Sequence, residues 1–498
     1  MAYLSHSKSA TVRSKLDHPV IDGDGHWLEP IPILLDYLKD AAGPDIAERY
    51  VQSKATEALW YKTSRQERLN ARQKRPTWWG EPANTLDRAT AMIPRLLCER
   101  LDDFGVDFAL IYTTIGLPYI ANPDDELRRA MCRALNTMSA EMFRPYAQRM
   151  TPVAVVPMHT PEEAIEELEF AVTELGMKAI VIANHVRRPI PNHLRDTSSP
   201  AAAQHYIDFL ALESPYDYDP FWAKCVELKV AITGHSNSVG WEGRTSVDNF
   251  TFNHIGHFAG ASHVFAKALV LGGVLARFPQ LRFALLEGGV GWACNLLTDM
   301  IGHWEKRHTQ ALLDNVRPAN VDTQLMADLF AQYGDETYQL KMDELMSCLS
   351  SINPFNSLAE LTERESSHEM DDFAAANITC ADDLRALFAE RFFFGCEADD
   401  PTTAWAFNDK HRLNPMFSSD VGHFDVIDMS EVLEEAHELL EDGLISEDAF
   451  REFVFTNAAR LHTSLNPDFF KGTVVEDAVA QHVLQAAPRN EAVVAGDD

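Results

Sequence analysis

What most constrains this 498-residue chain is a rhythm: short apolar, β-rich runs recur, each ending in a polar or glycine-containing turn. They fall at residues 20–21 before DGDGH, 108–112 before TTIG, 150–156 before PMH, 178–182 before ANH, 230–233 before GHSN and 283–286 before EGG. Two shorter runs follow, 392–394 before GCEADD and 416–417 before SSDVGH. Helical patterns separate most of them, as at 161–175, 218–228, 263–278 and 291–303. Eight strands separated by helices predict an α/β architecture, the (β/α)8 TIM barrel. Several runs are apolar throughout rather than alternating, as parallel strands covered on both faces require. The residues able to do chemistry stand just after these runs, on the C-terminal rim where such barrels build their active sites.

Three stretches break the rhythm. Residues 48–91 are polar, aromatic and helical in flavour, 187–218 are rich in Pro, Ser and His, and 315–387 are acidic and mostly helical. They read as insertions on the rim of one barrel spanning 20–471, because long irregular connections in a barrel usually cover or extend a site. Residues 1–19 read as a flexible leader and 472–498 as a C-terminal tail.

Composition narrows the partners. Asp and Glu number 75 against 43 Lys and Arg, a formal net charge of -32. Such a surface repels nucleic acid and anionic membrane. The longest apolar runs are far shorter than the ~20 residues that span a bilayer. Seven scattered cysteines without a CxxC pair point to reduced thiols and a cytoplasmic protein.

Asp24-x-His26 follows the first run, and side chains two apart on a strand face the same way, so both can reach one ion. Carboxylate oxygen with imidazole nitrogen suits zinc or manganese; an isolated DxH is equally a capping Asp beside a surface His. Asp22 shares that face as an outer partner or a turn residue. His235 closes the fifth run, and reads as a ligand or as a hydrogen-bonded structural histidine. His159 and His185 carry the same two readings, with His185 a candidate substrate contact. Asp420, after the eighth run, can complete an ion's surroundings and carry a proton, or simply form the SSDVG turn. His423 is placed to orient it or to bind substrate. Glu287 and Glu397, after the sixth and seventh runs, are candidate substrate contacts, partners to a histidine or plain ion-pairing residues. Trp78 and Trp79 are candidate stacking surfaces for a flat substrate. Ser262 reads as a helix cap and His263 as a first-turn histidine that the helix's positive end keeps neutral, able to act as a base. His254 and His257 read as loop or cover residues. Dinucleotide, P-loop, nucleophile-elbow and HExxH signatures are missing from the sequence.

Taken in order, IDGDGHWLEP, TGHSN, the block HVFAKALVLGGVLARFPQLRFALLEGGVGW and MFSSDVGHFD resemble the amidohydrolase-related family of metal-dependent enzymes. That family contains aminocarboxymuconate-semialdehyde decarboxylase and the γ-resorcylate-type nonoxidative decarboxylases. The resemblance spans residues 20–471. It implies a barrel of the amidohydrolase type with Asp24, His26, His235 and Asp420 holding one divalent ion, zinc with manganese as the alternative. It also implies His263 and Asp420 as the acid/base groups. Two departures stand out: the opening is DGDGH, and Glu287-Gly288 occupies a place where many relatives have Gly-His. The expected activity is nonoxidative decarboxylation or C–C cleavage of an aromatic or enol-type carboxylic acid. A metal-activated water that hydrolyses an amide, ester, lactone or C–C bond is the alternative, and a vestigial binding barrel a third reading. The expected partners are a small organic acid or aromatic substrate and a second copy of the chain in a homo-oligomer.

Overall fold

Runs of Phe, Ile, Val, Leu and Ala that must be covered on both faces can pair only as a central parallel sheet, and that is what they form. In the computed structural model the described residues are 7–74, 81–82, 84–190, 205–235, 243–315, 320–348 and 371–485. Ten strands follow in chain order: β1 Ile21–Trp27, β2 Phe108–Thr113, β3 Met150–Val155, β4 Ala179–Ala183, β5 Val186–Pro189, β6 His205–Asp208, β7 Ile232–His235, β8 Phe283–Leu285, β9 Phe392–Cys396 and β10 Pro415–Phe417. Eight pair in parallel in the order β1-β2-β3-β4-β7-β8-β9-β10. The seam between the first and last is bridged by backbone bonds: Asp420 N donates to the Asp24 carbonyl at 3.0 Å and His26 N to the Val421 carbonyl at 2.7 Å. The eight strands thus make a nearly closed (β/α)8 barrel, and the DGDGH and SSDVG motifs meet at its seam.

All eight sequence runs become barrel strands, with one shift of meaning. The DGDGH motif lies inside β1 rather than after it, and the register against β2 slips between Asp22 and Gly25. A bulge of this kind re-aims side chains locally. A Cβ at Gly23 would lie 2.7 Å from the Met416 methyl, so a side chain there requires the Met416 side chain to move. The Asp22 carboxylate ties the seam further, accepting from Asp24 N at 3.2 Å, Ser419 N at 2.9 Å and Ser419 Oγ at 2.5 Å.

The insertions differ from their expectations in detail. Within 187–218, β5 and β6 form an antiparallel hairpin that the Pro- and His-rich composition did not announce. Residues 48–91 contribute the helices Arg65–Ala71 and Thr85–Met92. Within 315–387, the helices Thr323–Tyr333, Glu336–Leu340 and Met342–Cys348 carry no buried side chain among the described residues, whereas Ala381–Arg391 packs as the barrel helix before β9. Of the expected leader, Lys8–Arg13 is a short helix: Ser9 Oγ accepts from Leu433 N and Glu434 N, and Arg13 pairs with Asp107. Residues 472–485 of the tail are described and bury Val475 and Val479; the remainder lies outside the described residues. No helix of the described residues is long and apolar enough to cross a membrane.

Candidate metal centre

Four strands deliver two overlapping groups of donors that share His26 and Glu287. β1 contributes Asp24 and His26, β7 ends on His235, the turn after β8 carries Glu287, and the turn after β10 carries Asp420 and His423. Asp24, His26, His235 and Glu287 offer donor atoms that all lie within 4.8 Å of one another, and so do His26, Glu287, Asp420 and His423. His26 Nε2 lies 3.3 Å from Asp24 Oδ1, 3.4 Å from Asp420 Oδ1 and 3.5 Å from Glu287 Oε1. His235 Nε2 lies 3.1 Å from Glu287 Oε1. Asp24 and His26 are completely buried, and His235 and Asp420 nearly so.

Buried polar atoms are normally satisfied. Here both carboxylate oxygens of Asp24, both ring nitrogens of His26 and Oδ1 of Asp420 make no hydrogen bond among the described residues, despite their mutual proximity. Donors that crowd together without bonding one another are arranged about a common centre, and their chemistry fits a divalent cation. The electrostatics agree. Burial pulls the His26 imidazole down, but Asp24 and Glu287 outweigh it and push it up to about 10. Burial, then the carboxylates of Glu287, Asp425 and Glu397, hold Asp420 well above the usual carboxylate range. Such a site draws positive charge, whether a proton or a metal ion.

His423 stands beside this set. Its Nδ1 is 2.7 Å from Asp420 Oδ1, and burial, then His26, hold the His423 imidazole well below its ordinary value. Its Nε2 is 3.1 Å from Thr114 Oγ1, and its ring stacks on His26 with centroids 3.9 Å apart. Thr114 is held in turn by Glu29, whose carboxylate accepts the backbone N–H groups of Thr114, Ile115 and Gly116.

The other predicted site residues fall at varied distances. Glu397 follows β9 on the rim; the residue is exposed, but burial of its carboxyl end and then Asp425 and Glu287 push it up to about 8. His185 follows β4 and is buried against Phe209, apart from the converging groups. Trp78 and Trp79 lie outside the described residues.

His263 does not join the cluster. Its helix, His257–Leu271, begins six residues earlier than expected, after Gly256 at φ 70. Gly256 therefore takes the place foreseen for Ser262, which is a buried mid-helix residue accepting from Asn184 Nδ2 at 2.9 Å. His263 lies in the second turn with its ring 6.1 Å from Trp292 and with Lys267 and Asp299 as charged neighbours. The first-turn histidine is His257. Burial, then Arg244, hold it down to about 3, and it also senses Glu287. Its ring lies 3.8 Å from Phe258, which lies 5.6 Å from His235. Arg244, His254, His257 and Phe258 thus stand on one side of the site; of these the sequence singled out His254 and His257, as loop or cover residues. The available signal was Gly256 directly before HFAG, a helix start.

Residues 102–318 match the family model described as Amidohydrolase. The chain is 25% identical over 319 residues to a gamma-resorcylate decarboxylase of Rhodococcus jostii (strain RHA1), covering 62% of this chain and 88% of that protein. Over that stretch the chain is similar to amidohydrolases. Among solved structures it resembles an amidohydrolase of Mycobacterium avium subsp. paratuberculosis K-10, with a TM-score of 0.50 at 16% identity, covering 90% of this chain and 99% of that one. At that identity the likeness concerns the fold alone. A dihydroxybenzoic acid decarboxylase of Polaromonas sp. JS666, solved with manganese and 2-nitroresorcinol, matches with a TM-score of 0.48 at 15% identity, over 90% and 97% of the two chains.

Proposed function

We propose that this amidohydrolase relative is a metal-dependent carboxy-lyase that removes CO2 from an aromatic or enol-type carboxylic acid without an oxidant. The observation that carries the proposal is the cluster of buried, unsatisfied donors at the seam, Asp24 and His26 above all. The 25% identical Rhodococcus protein supports the reaction class. Asp24, His26, His235 and Asp420 would hold one divalent ion, zinc or manganese. When bound, the ion anchors the acid and neutralises charge that develops as the C–C bond breaks.

The chain's own residues supply the rest. Loss of CO2 leaves the bonding electron pair on the substrate carbon, which must take up a proton there. Asp420 is placed to hold that proton on its carboxyl, with the His423 ring beside it and Thr114 beyond that ring. Phe258 and His257 stand on one side of the site. We further propose a cytoplasmic homo-oligomer.

The test is a panel of hydroxybenzoates with the full-length protein, following CO2 and the decarboxylated product with and without a chelator. Release that is lost on chelation and restored by added zinc or manganese supports the proposal. Turnover of esters or lactones with no CO2 from any acid would overturn it in favour of a hydrolase.

A further inference from the structure

Glu287 is the one residue common to both groups of converging donors besides His26. Its Oε1 lies 3.1 Å from His235 Nε2, 3.5 Å from His26 Nε2 and 3.7 Å from His423 Nδ1. Its side chain is only 6% exposed, so the carboxylate is committed to the interior. Its backbone sits at φ 55, and Asp420 sits at φ 54. A non-glycine residue in the left-handed region is strained, and such residues persist where the side chain has a task. Seven non-glycine residues among the described ones have positive φ, and two of them place carboxylates in this cluster. Glycine would adopt this conformation freely, and Gly288 and Gly289 follow directly, yet the chain places a glutamate there.

We infer that Glu287 is a direct ligand of the cation, a third carboxylate beside Asp24 and Asp420. The inference rests on the reading of the cluster as a metal centre and adds a donor to it. Asp24, Glu287 and Asp420 with His26 and His235 would give five protein donors, three of them hard oxygens. That set suits an ion that accepts more than four ligands, manganese rather than tetrahedral zinc. The strained backbone then has a use: in the left-handed turn after β8 the Glu287 carboxylate reaches to 3.1 Å from His235 Nε2.

The test measures binding, independent of turnover. Metal-free full-length protein is titrated with Mn2+ and with Zn2+ against a chromophoric chelator, for the wild type, Glu287→Gln and Glu287→Gly. We expect one ion per wild-type chain and a Mn2+ affinity at least 100-fold weaker in both variants. Glu287→Gly guards against misfolding, because it relieves the left-handed strain, and its metal-free melting temperature should equal or exceed that of the wild type. Wild-type affinity in a folded Glu287→Gly protein would overturn the assignment while leaving the metal centre standing. No ion bound by the wild type would overturn the metal centre itself.

Discussion

Two buried polar clusters lie within the rim of this barrel, and they are built on opposite principles. Beneath the β5–β6 hairpin, Arg188 Nε donates to Asp208 Oδ2 at 2.8 Å, Nη1 to the His159 carbonyl at 2.6 Å and Nη2 to Tyr218 Oη at 2.9 Å. Tyr218 donates to the Met158 carbonyl, and Asp208 also accepts from Leu210 N and Ser214 Oγ. Every charge there is answered from within. At the β1–β10 seam the reverse holds: Asp24 and His26 are just as buried, yet their side-chain polar atoms make no hydrogen bond among the described residues. Burial of charge is therefore no guide to function by itself. The first cluster pins a hairpin to the barrel, and the second waits for a charge from outside.

Substitutions should separate the two by what they damage. The largest effect expected on activity is from Asp24→Asn, which keeps the shape and removes a donor charge: turnover should fall by about 10³-fold or more, with the melting temperature of the metal-free protein unchanged or raised. Steady-state rates and a thermal melt check both halves. Arg188→Met should do the opposite. It strands Asp208 and Tyr218, so unfolding free energy should drop by about 3–5 kcal/mol, read by urea denaturation, while the surviving folded enzyme keeps its metal.

Acid should act through a third buried group, on the helix Asn457–Thr463. His462, stacked on Phe469 at 4.2 Å and fully buried, is held down by burial to about 3 against an ordinary 6.5. An imidazole neutral in the folded state and protonated when unfolded costs stability as pH falls from about 6.5 towards 3. Near pH 4.5 that is about 2–3 kcal/mol, and His462→Phe should recover part of it in melts recorded across that range. The smallest effect belongs to His263→Ala. With its ring against Trp292 rather than in the cluster, it should change kcat/KM by less than about threefold; a 100-fold loss would place it back in the chemistry.

The sequence announced the barrel because parallel strands covered on both faces must be apolar, and runs such as 108–112 and 178–182 have no other use. Asp24, His26, His235 and Asp420 were candidates because each stands at or just beyond such a run, and the family resemblance grouped them as ligands of one ion. β1 was harder to read: two Asp and two Gly in IDGDGHW look like a turn, and only the bulge and the seam bonds make it a strand. Glu287 was visible but ambiguous, since a glutamate after a strand serves many ends and its left-handed backbone is not written in the residue type. The hairpin β5–β6 escaped because Pro189 and the polar residues of His205–Asp208 lack a strand's pattern. His263 was misplaced for a local reason, as Gly256 starts the helix before Ser262 is reached.

The central claim is that the seam cluster exists to hold one divalent ion. Elemental analysis of the purified full-length protein and of His26→Ala, each reconstituted with Mn2+ or Zn2+ and desalted, tests it most directly. The account predicts about one ion per wild-type chain and almost none in a His26→Ala protein that still melts cooperatively. Equal metal content in the two proteins, or none in either, would contradict it.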